Sequence, residues 1–198
     1  MRPATIVDPT RRRRWWAAGI GALSCLATVG AGAAQLRYAF TPGELGEPAL
    51  AWPEHSGITR VPGRATLLMF VHPRCTCTRA SLDELAEVIA LDPPAADVVL
   101  VVDDEDHGPL APAVALDVPG ARIVHEHGEE TERFGVATSG EVMLFSAGGE
   151  RRFVGGITAS RGARGSSPGR VALEAALTDP HRATDAAVYG CPLTESAP

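Results

Sequence analysis

Two cysteines, Cys75 and Cys77, stand one residue apart in the run His72-Pro73-Arg74-Cys75-Thr76-Cys77. Two thiols within reach of each other can close a disulfide and open it again, a two-electron couple. The run leaves an apolar stretch, Ala65–Val71, and leads into residues where Leu82, Leu85, Ala86, Val88 and Ile89 recur at helical spacing. That predicts a buried strand handing over to a helix. A thiol at such a junction faces the unpaired N–H groups and the positive end of the helix, which favours the nucleophilic thiolate. Arg74 and Arg79 push the same way. A C-x-C pair closes a tighter ring than C-x-x-C, and strain makes a disulfide more easily reduced. Two other readings of the pair stay open. One is a structural disulfide in an exported protein. The other is soft-metal ligation, with His72 and Cys191 completing a set suited to copper or zinc. His72 reads equally well as a polar loop residue, and Cys191, between Gly190 and Pro192 in a fixed turn, as a free thiol or a third redox partner. Cys25 reads as a small apolar residue.

The elements that position the pair follow from the flanking patterns. Ser81 with Glu84 spells a capping box, which starts the helix at Ser81, and Pro93-Pro94 stop it. Residues 97–102 (DVVLVV) read as a second buried strand, and the acidic run 103–106 as a solvated loop. His107, His125 and His127 read as solvated surface beside acids. A Pro-interrupted helix is expected at 110–116, a short strand at 121–125 and a helical turn at 129–134. Residues 141–145 and 152–154 flank Ser146-Ala147-Gly148-Gly149 as a hairpin. The Gly/Ser/Arg-rich stretch 155–167 reads as a mobile loop. Ser167 as N-cap and Pro168 at the first helical position open a last helix to 177. The apolar tail 188–193 is expected to dock on the body. Strand, helix, strand, helix, hairpin, helix is an α/β order, with parallel strands at the front and antiparallel strands added by the hairpin.

The 198 residues make one ordinary domain plus something extra. With 45% apolar and 21% charged residues the chain is globular in composition. The net charge of −6 is unevenly placed: 1–14 hold five Arg against one Asp, and the remainder 13 Arg against 23 acids. An acidic body excludes nucleic acid as the main partner, because phosphate neutralisation needs a basic face. All 18 basic residues are Arg.

Arg11 to Arg14 precede 20 uncharged residues, 15–34, about the length that spans a ~30 Å hydrocarbon core. Trp15 and Trp16 suit the headgroup level, and the arginines keep the N-terminus in the cytoplasm. This predicts a basic cytoplasmic tail (1–14), a single-pass anchor in a bacterial inner membrane (15–34), a linker (35–63) and a periplasmic domain (64–198). Ala31-Gly32-Ala33 also resembles a cleavage site, the alternative being a cleaved and exported protein.

These motifs resemble the thioredoxin superfamily. A strand ending in Phe70-Val71, the cysteine pair and then SLDELA on a helix match its first active-site unit. Arg133-Phe134-Gly135-Val136, then Thr138 to Phe145 and Gly148-Gly149, resemble its stretch before, through and after the cis-proline loop, and Val154-Gly155-Gly156 closes the hairpin. More narrowly, HPRCTCTRAS, TSGEV, GGITASRG and a final GCPL resemble RedB-type thioredoxin-like proteins of bacteria. The superfamily resemblance covers about residues 64–178, and the narrower motifs run on to the GCPL at 190–193. It implies a thioredoxin-like fold, a central mixed sheet with flanking helices. It supports the thiol pair but names no substrate; the pair at a helix start behind an export segment predicts a thiol–disulfide oxidoreductase acting on protein thiols or disulfides, without cofactor or resident metal. Cys75 is then the attacking thiol and Cys77 the resolving one. A copper- or zinc-delivery module using the same cysteines is the alternative; peroxide reduction and a scaffold without chemistry stand further off. Three departures matter: C-x-C replaces C-x-x-C, which leaves the order of attack open; Gly140 stands at the cis-proline position, where a trans peptide is expected because a cis bond costs ~2.5–4 kcal/mol; and Met69, which cannot move protons, stands near the family's buried acid.

Overall fold

Continuous apolar runs build the centre of the sheet, because a strand covered on both faces has no polar side to show. A computed structural model describes residues 9–72, 75–91, 96–104, 116–179, 182 and 184–193. In it β1 (Ala65–Val71) and β2 (Ala96–Asp103) are buried along almost their whole length. They pair in parallel from Ala65 opposite Ala96 to Val71 opposite Val102. β3 (Arg122–Glu126) adds in parallel to β2. On the other side of β1 the hairpin strands β4 (Glu141–Phe145) and β5 (Arg151–Gly156) run antiparallel, and β6 (Thr184–Asp185) closes the edge. The order is β3-β2-β1-β4-β5-β6.

Alternation along the strands divides the core into two layers. Leu67, Met69, Val71, Val142, Leu144 and Phe153 face α2 (Thr78–Leu91) and α4 (Pro168–Thr178), meeting Leu82, Leu85, Val88 and Leu173. Leu68, Phe70, Val99, Val101, Met143 and Phe145 face the opposite way and meet Phe134, at the end of α3 (Glu129–Phe134). The mixed sheet is thus flanked by helices on both faces, as expected.

The helix α1 (Pro9–Phe40) runs past both ends of the expected span 15–34. Its stretch 13–40 is long and apolar enough to cross a membrane, and none of the apolar window is buried. The chain up to Tyr38 forms one compact unit and the residues from Ala39 onward a second.

The linker expected at 35–63 is not a free tether. Residues 35–40 continue α1, and 41–63 lie on the second unit. The Trp52 N–H donates to the Gly149 carbonyl, Ala49 N–H to Phe134 and Arg151 N–H to Leu50, while Ala51 bridges to Glu150. Trp52 packs edge-on against Phe134 and Phe145, with ring centroids 5.1 and 5.2 Å apart. Arg60 lies over its indole and donates to the Ser146 and Ala147 carbonyls. Periodicity is absent because a strap is anchored by isolated residues, Trp52 and Ile58, and by backbone groups whose partners are remote in sequence.

Helix α2 begins at Thr78, three residues before the expected Ser81. Ser81 and Glu84 are both buried within it. The Glu84 carboxylate accepts from Gly165 N–H and pairs with Arg170, each at 2.6 Å, so a long-range cation takes the acid that the capping box would have used. Gly165 belongs to 155–167, which is tied down rather than free: Ile157, Thr158, Ser160 and Ser167 are buried, and Ser167 Oγ donates to Ile157. Ser167 also caps α4 at Arg170 N–H, with Pro168 following, as expected. Of the acidic run, Asp103 is the buried end of β2, and Asp104 pairs with His125 Nδ1 at 2.7 Å. Pro73, Arg74, Pro93-Pro94, Glu105, Asp106, His107 and 110–115 lie outside the described residues.

Glu141 opens β4 and is fully buried. Burial pushes its pKa up to about 7, opposed by the nearby Ala137 and Thr138 backbone and by Arg151. The native chain therefore binds a proton there that the unfolded chain has already released, so this contribution to stability is present below about 4.5 and is lost as pH rises through 7. We expect the unfolding free energy of Glu141→Gln relative to the natural chain to rise over that window by on the order of 3 kcal/mol. Denaturant melts at pH 4 and pH 8 measure it, and a pH-independent difference refutes it. Trp52→Ala is expected to cost about 2–4 kcal/mol in the same assay; a change below ~0.5 kcal/mol would mean that the strap adds nothing to the core.

Candidate functional site

The segment between β1 and α2 is a tight turn because short backbone bonds close it. Cys75 N–H donates to His72, Thr78 N–H to Cys75 and Ala80 N–H to Cys77, at 3.0 to 3.1 Å. Cys75 is 1% exposed and Cys77 9%. The turn puts both thiols at the N-terminal end of α2, as the sequence predicts.

A third thiol joins them. The Sγ atoms of Cys75, Cys77 and Cys191 all lie within 4.8 Å of one another, and all three cysteines are free. Cys191 is brought there by antiparallel pairing of the C-terminal segment with the loop before β4. Ser139 N–H donates to the Cys191 carbonyl at 2.8 Å, Leu193 N–H donates to Ala137 at 2.9 Å, and Thr138 bridges to Pro192. Glycine is required at 190, because a Cβ there would overlap the Ser139 carbonyl. The docking of 188–193 on the body is therefore specific: Val188 and Leu193 are buried, and between them Cys191 is half-buried.

The same loop is tied to β1 and α2. His72 N–H donates to Ser139 Oγ at 2.9 Å, Ser139 Oγ lies 3.0 Å from Thr78 Oγ1, and Gly140 N–H donates to the Phe70 carbonyl at 2.7 Å. The peptide before Gly140 is trans, and Gly140 has φ +88°, a left-handed conformation that glycine adopts without strain.

The electrostatics single out one sulfur. The Cys75 thiol is drawn down to about 4, first by the hydrogen bond from the Cys191 side chain and then by Thr78 and by the backbone at Cys191 and Cys77, against the effect of burial. Cys191 is pushed well up, because its proton is held in that bond and because burial and the Cys75 charge oppose a second anion. Burial and the Cys75 charge also push Cys77 up. The arrangement is one buried thiolate flanked by two thiols. Arg161, from the stretch 155–167, eases both protonated thiols downward. Arg79 is exposed on α2.

His72 does not complete a metal-donor set: among the described residues the cluster is the three cysteines alone. Three sulfurs at this spacing suit a soft ion. Met69 lies fully buried in the layer beneath α2. Glu141, buried at the start of β4, is set by alternation with Met143 and Phe145 on the opposite layer. Sequence reasoning did not place Ser139, Thr78 or Arg161 at the site, and left Cys191 undecided. Gly190 and Pro192 were the available signal, a turn fixed against something.

No family model matches the chain, and no curated protein does. Solved structures do. An uncharacterised conserved protein from Geobacillus kaustophilus is 19% identical over 80% of this chain and 95% of its own, with a TM-score of 0.56. A hypothetical protein from Sinorhizobium meliloti is 16% identical over 80% of this chain and 96% of its own, with a TM-score of 0.51. A thioredoxin-like protein from Aeropyrum pernix is 12% identical over 77% and 97%, with a TM-score of 0.44. Likeness at these identities is one of fold. The parallel β1–α2–β2 unit, the antiparallel β4–β5 hairpin beside it and the helices on both faces make that fold thioredoxin-like.

Proposed function

We propose that the chain is a membrane-tethered thiol–disulfide oxidoreductase centred on Cys75. One observation carries the reading: three free thiols meet within 4.8 Å at a strand-to-helix turn, and that of Cys75 is the one whose pKa is drawn down. Disulfide exchange needs just that, a low-pKa nucleophile and a second thiol to resolve the mixed disulfide. The Cys75 thiolate attacks one sulfur of a protein disulfide, forms a mixed disulfide and expels the other sulfur as a thiolate, which takes a proton. A neighbouring thiol of the cluster then attacks the Cys75 sulfur, closes the internal disulfide and frees the substrate. Two electrons pass to the substrate, and the sequence runs equally in reverse. No cofactor is needed. The motifs resembling RedB-type proteins agree with this reading. The arginines at 11–14 and the apolar helix that follows fit a cytoplasmic tail, an inner-membrane anchor and a domain on the periplasmic side of a bacterial membrane.

The three-sulfur cluster also favours a second reading, binding of copper(I) or zinc by Cys75, Cys77 and Cys191. The two separate in one pair of assays on the full chain in detergent. Exchange predicts that Cys75→Ser lowers turnover of a model disulfide substrate by roughly a hundredfold or more. It also predicts that alkylation of Cys75 holds its rate from pH 8 down to 5 and falls only near pH 4, where the thiolate protonates. Unchanged turnover in Cys75→Ser defeats the exchange reading. Stoichiometric copper(I) retained by the reduced chain, with no exchange, would put metal handling in its place.

A further inference from the structure

The proposed exchange needs a second thiol, and two are in reach of Cys75. We infer that Cys191, not Cys77, is the cysteine with which Cys75 forms its reversible disulfide. The inference rests on the exchange reading and deepens it.

The turn argues against a Cys75–Cys77 bond. Its helix-like hydrogen bonds run from Cys75 N–H to His72, Thr78 N–H to Cys75 and Ala80 N–H to Cys77. The two sulfurs lie within 4.8 Å, but a disulfide across a single intervening residue closes a tight, strained ring. Joining them asks the backbone to leave the bonds that start α2. Cys191 comes from a separate segment, across the turn rather than along it. Its position is set by two backbone hydrogen bonds to Ala137 and Ser139, by the Thr138–Pro192 bridge and by a glycine with no room for a side chain. Its thiol, like that of Cys77, hydrogen-bonds to the Cys75 sulfur. Shortening that contact to a covalent bond leaves both the turn and the strand pairing in place.

With Cys75 held in a mixed disulfide, Cys191 gives its proton to solvent and its sulfur attacks Cys75 Sγ. The Cys75–Cys191 bond forms, the bond from Cys75 to the substrate sulfur breaks, and that sulfur leaves as a thiolate that takes a proton. Two electrons pass from the cysteine pair to the substrate disulfide, and a dithiol reductant restores the pair.

The test is to oxidise the full chain in detergent with glutathione disulfide, block the remaining thiols and map the linkage by mass spectrometry. A Cys75–Cys191 cross-link with Cys77 alkylated is the expected result. A Cys75–Cys77 link with Cys191 alkylated overturns the inference. Cys191→Ser supplies the second readout. Without its resolving thiol, the glutathione adduct on Cys75 is expected to persist at least about tenfold longer than in the natural chain. An adduct resolved at the natural rate overturns the inference while leaving the exchange reading standing. Full turnover in Cys75→Ser removes the exchange reading itself, so the two failures are told apart.

Discussion

Ser139 is the point at which three otherwise separate parts of the chain are fastened together. Its N–H donates to the carbonyl of Cys191, its Oγ accepts from the backbone of His72 at the end of β1, and the same oxygen lies against Thr78 Oγ1 at the first turn of α2. The hydroxyl and the N–H are both buried, and each has a partner, as the cost of an unmet buried polar group demands. Loss of this junction would let the C-terminal segment leave Cys75 and would free the start of α2 from the sheet. The thiol cluster therefore depends on a residue without redox chemistry, on a loop that approaches the site from the next strand.

Charge follows from that fastening. Three sulfurs within 4.8 Å in a mostly buried site cannot all ionise, because each anion raises the cost of the next. The charge settles on the sulfur that receives the most hydrogen bonds. Cys75 receives them from Cys191 and Thr78, and both contacts exist because Ser139 holds their owners in place. Cys77 and Cys191 keep their protons for the same reason that Cys75 loses its own.

What the sequence made legible was local. The runs in β1 and β2, the helical spacing in α2, the hairpin and the Ser167 cap are each decided by neighbouring residues, and the structure has them within one to three positions. What escaped was decided at long range. Glu84 reads as half of a capping box until Arg170, from the other helix, takes its carboxylate. Residues 41–63 read as linker because Trp52 gains its role only from Phe134 and Phe145. Cys191 is more than a hundred residues from Cys75 and joins it only through pairing with 137–139, whose sequence carries no strand pattern of its own. The cysteine pair itself was visible because both its members and the elements around them are contiguous.

Protonation also separates the two chemistries that a three-sulfur cluster allows. A metal ion held by Cys75, Cys77 and Cys191 needs all three as thiolates, so binding must expel two protons from groups that burial and the neighbouring anion hold firmly protonated. Metal binding at neutral pH therefore releases protons from Cys77 and Cys191 and strengthens as pH rises. Exchange needs only the thiolate already present. Its second thiol must lose a proton only after Cys75 has been consumed in a mixed disulfide, and at that moment the anion that had opposed ionisation is gone. Cys191 then no longer donates to a charged sulfur and faces one fewer negative neighbour, with Arg161 still nearby. The first step of exchange thus removes the obstacle to the second, a sequence of events that a static metal site does not have.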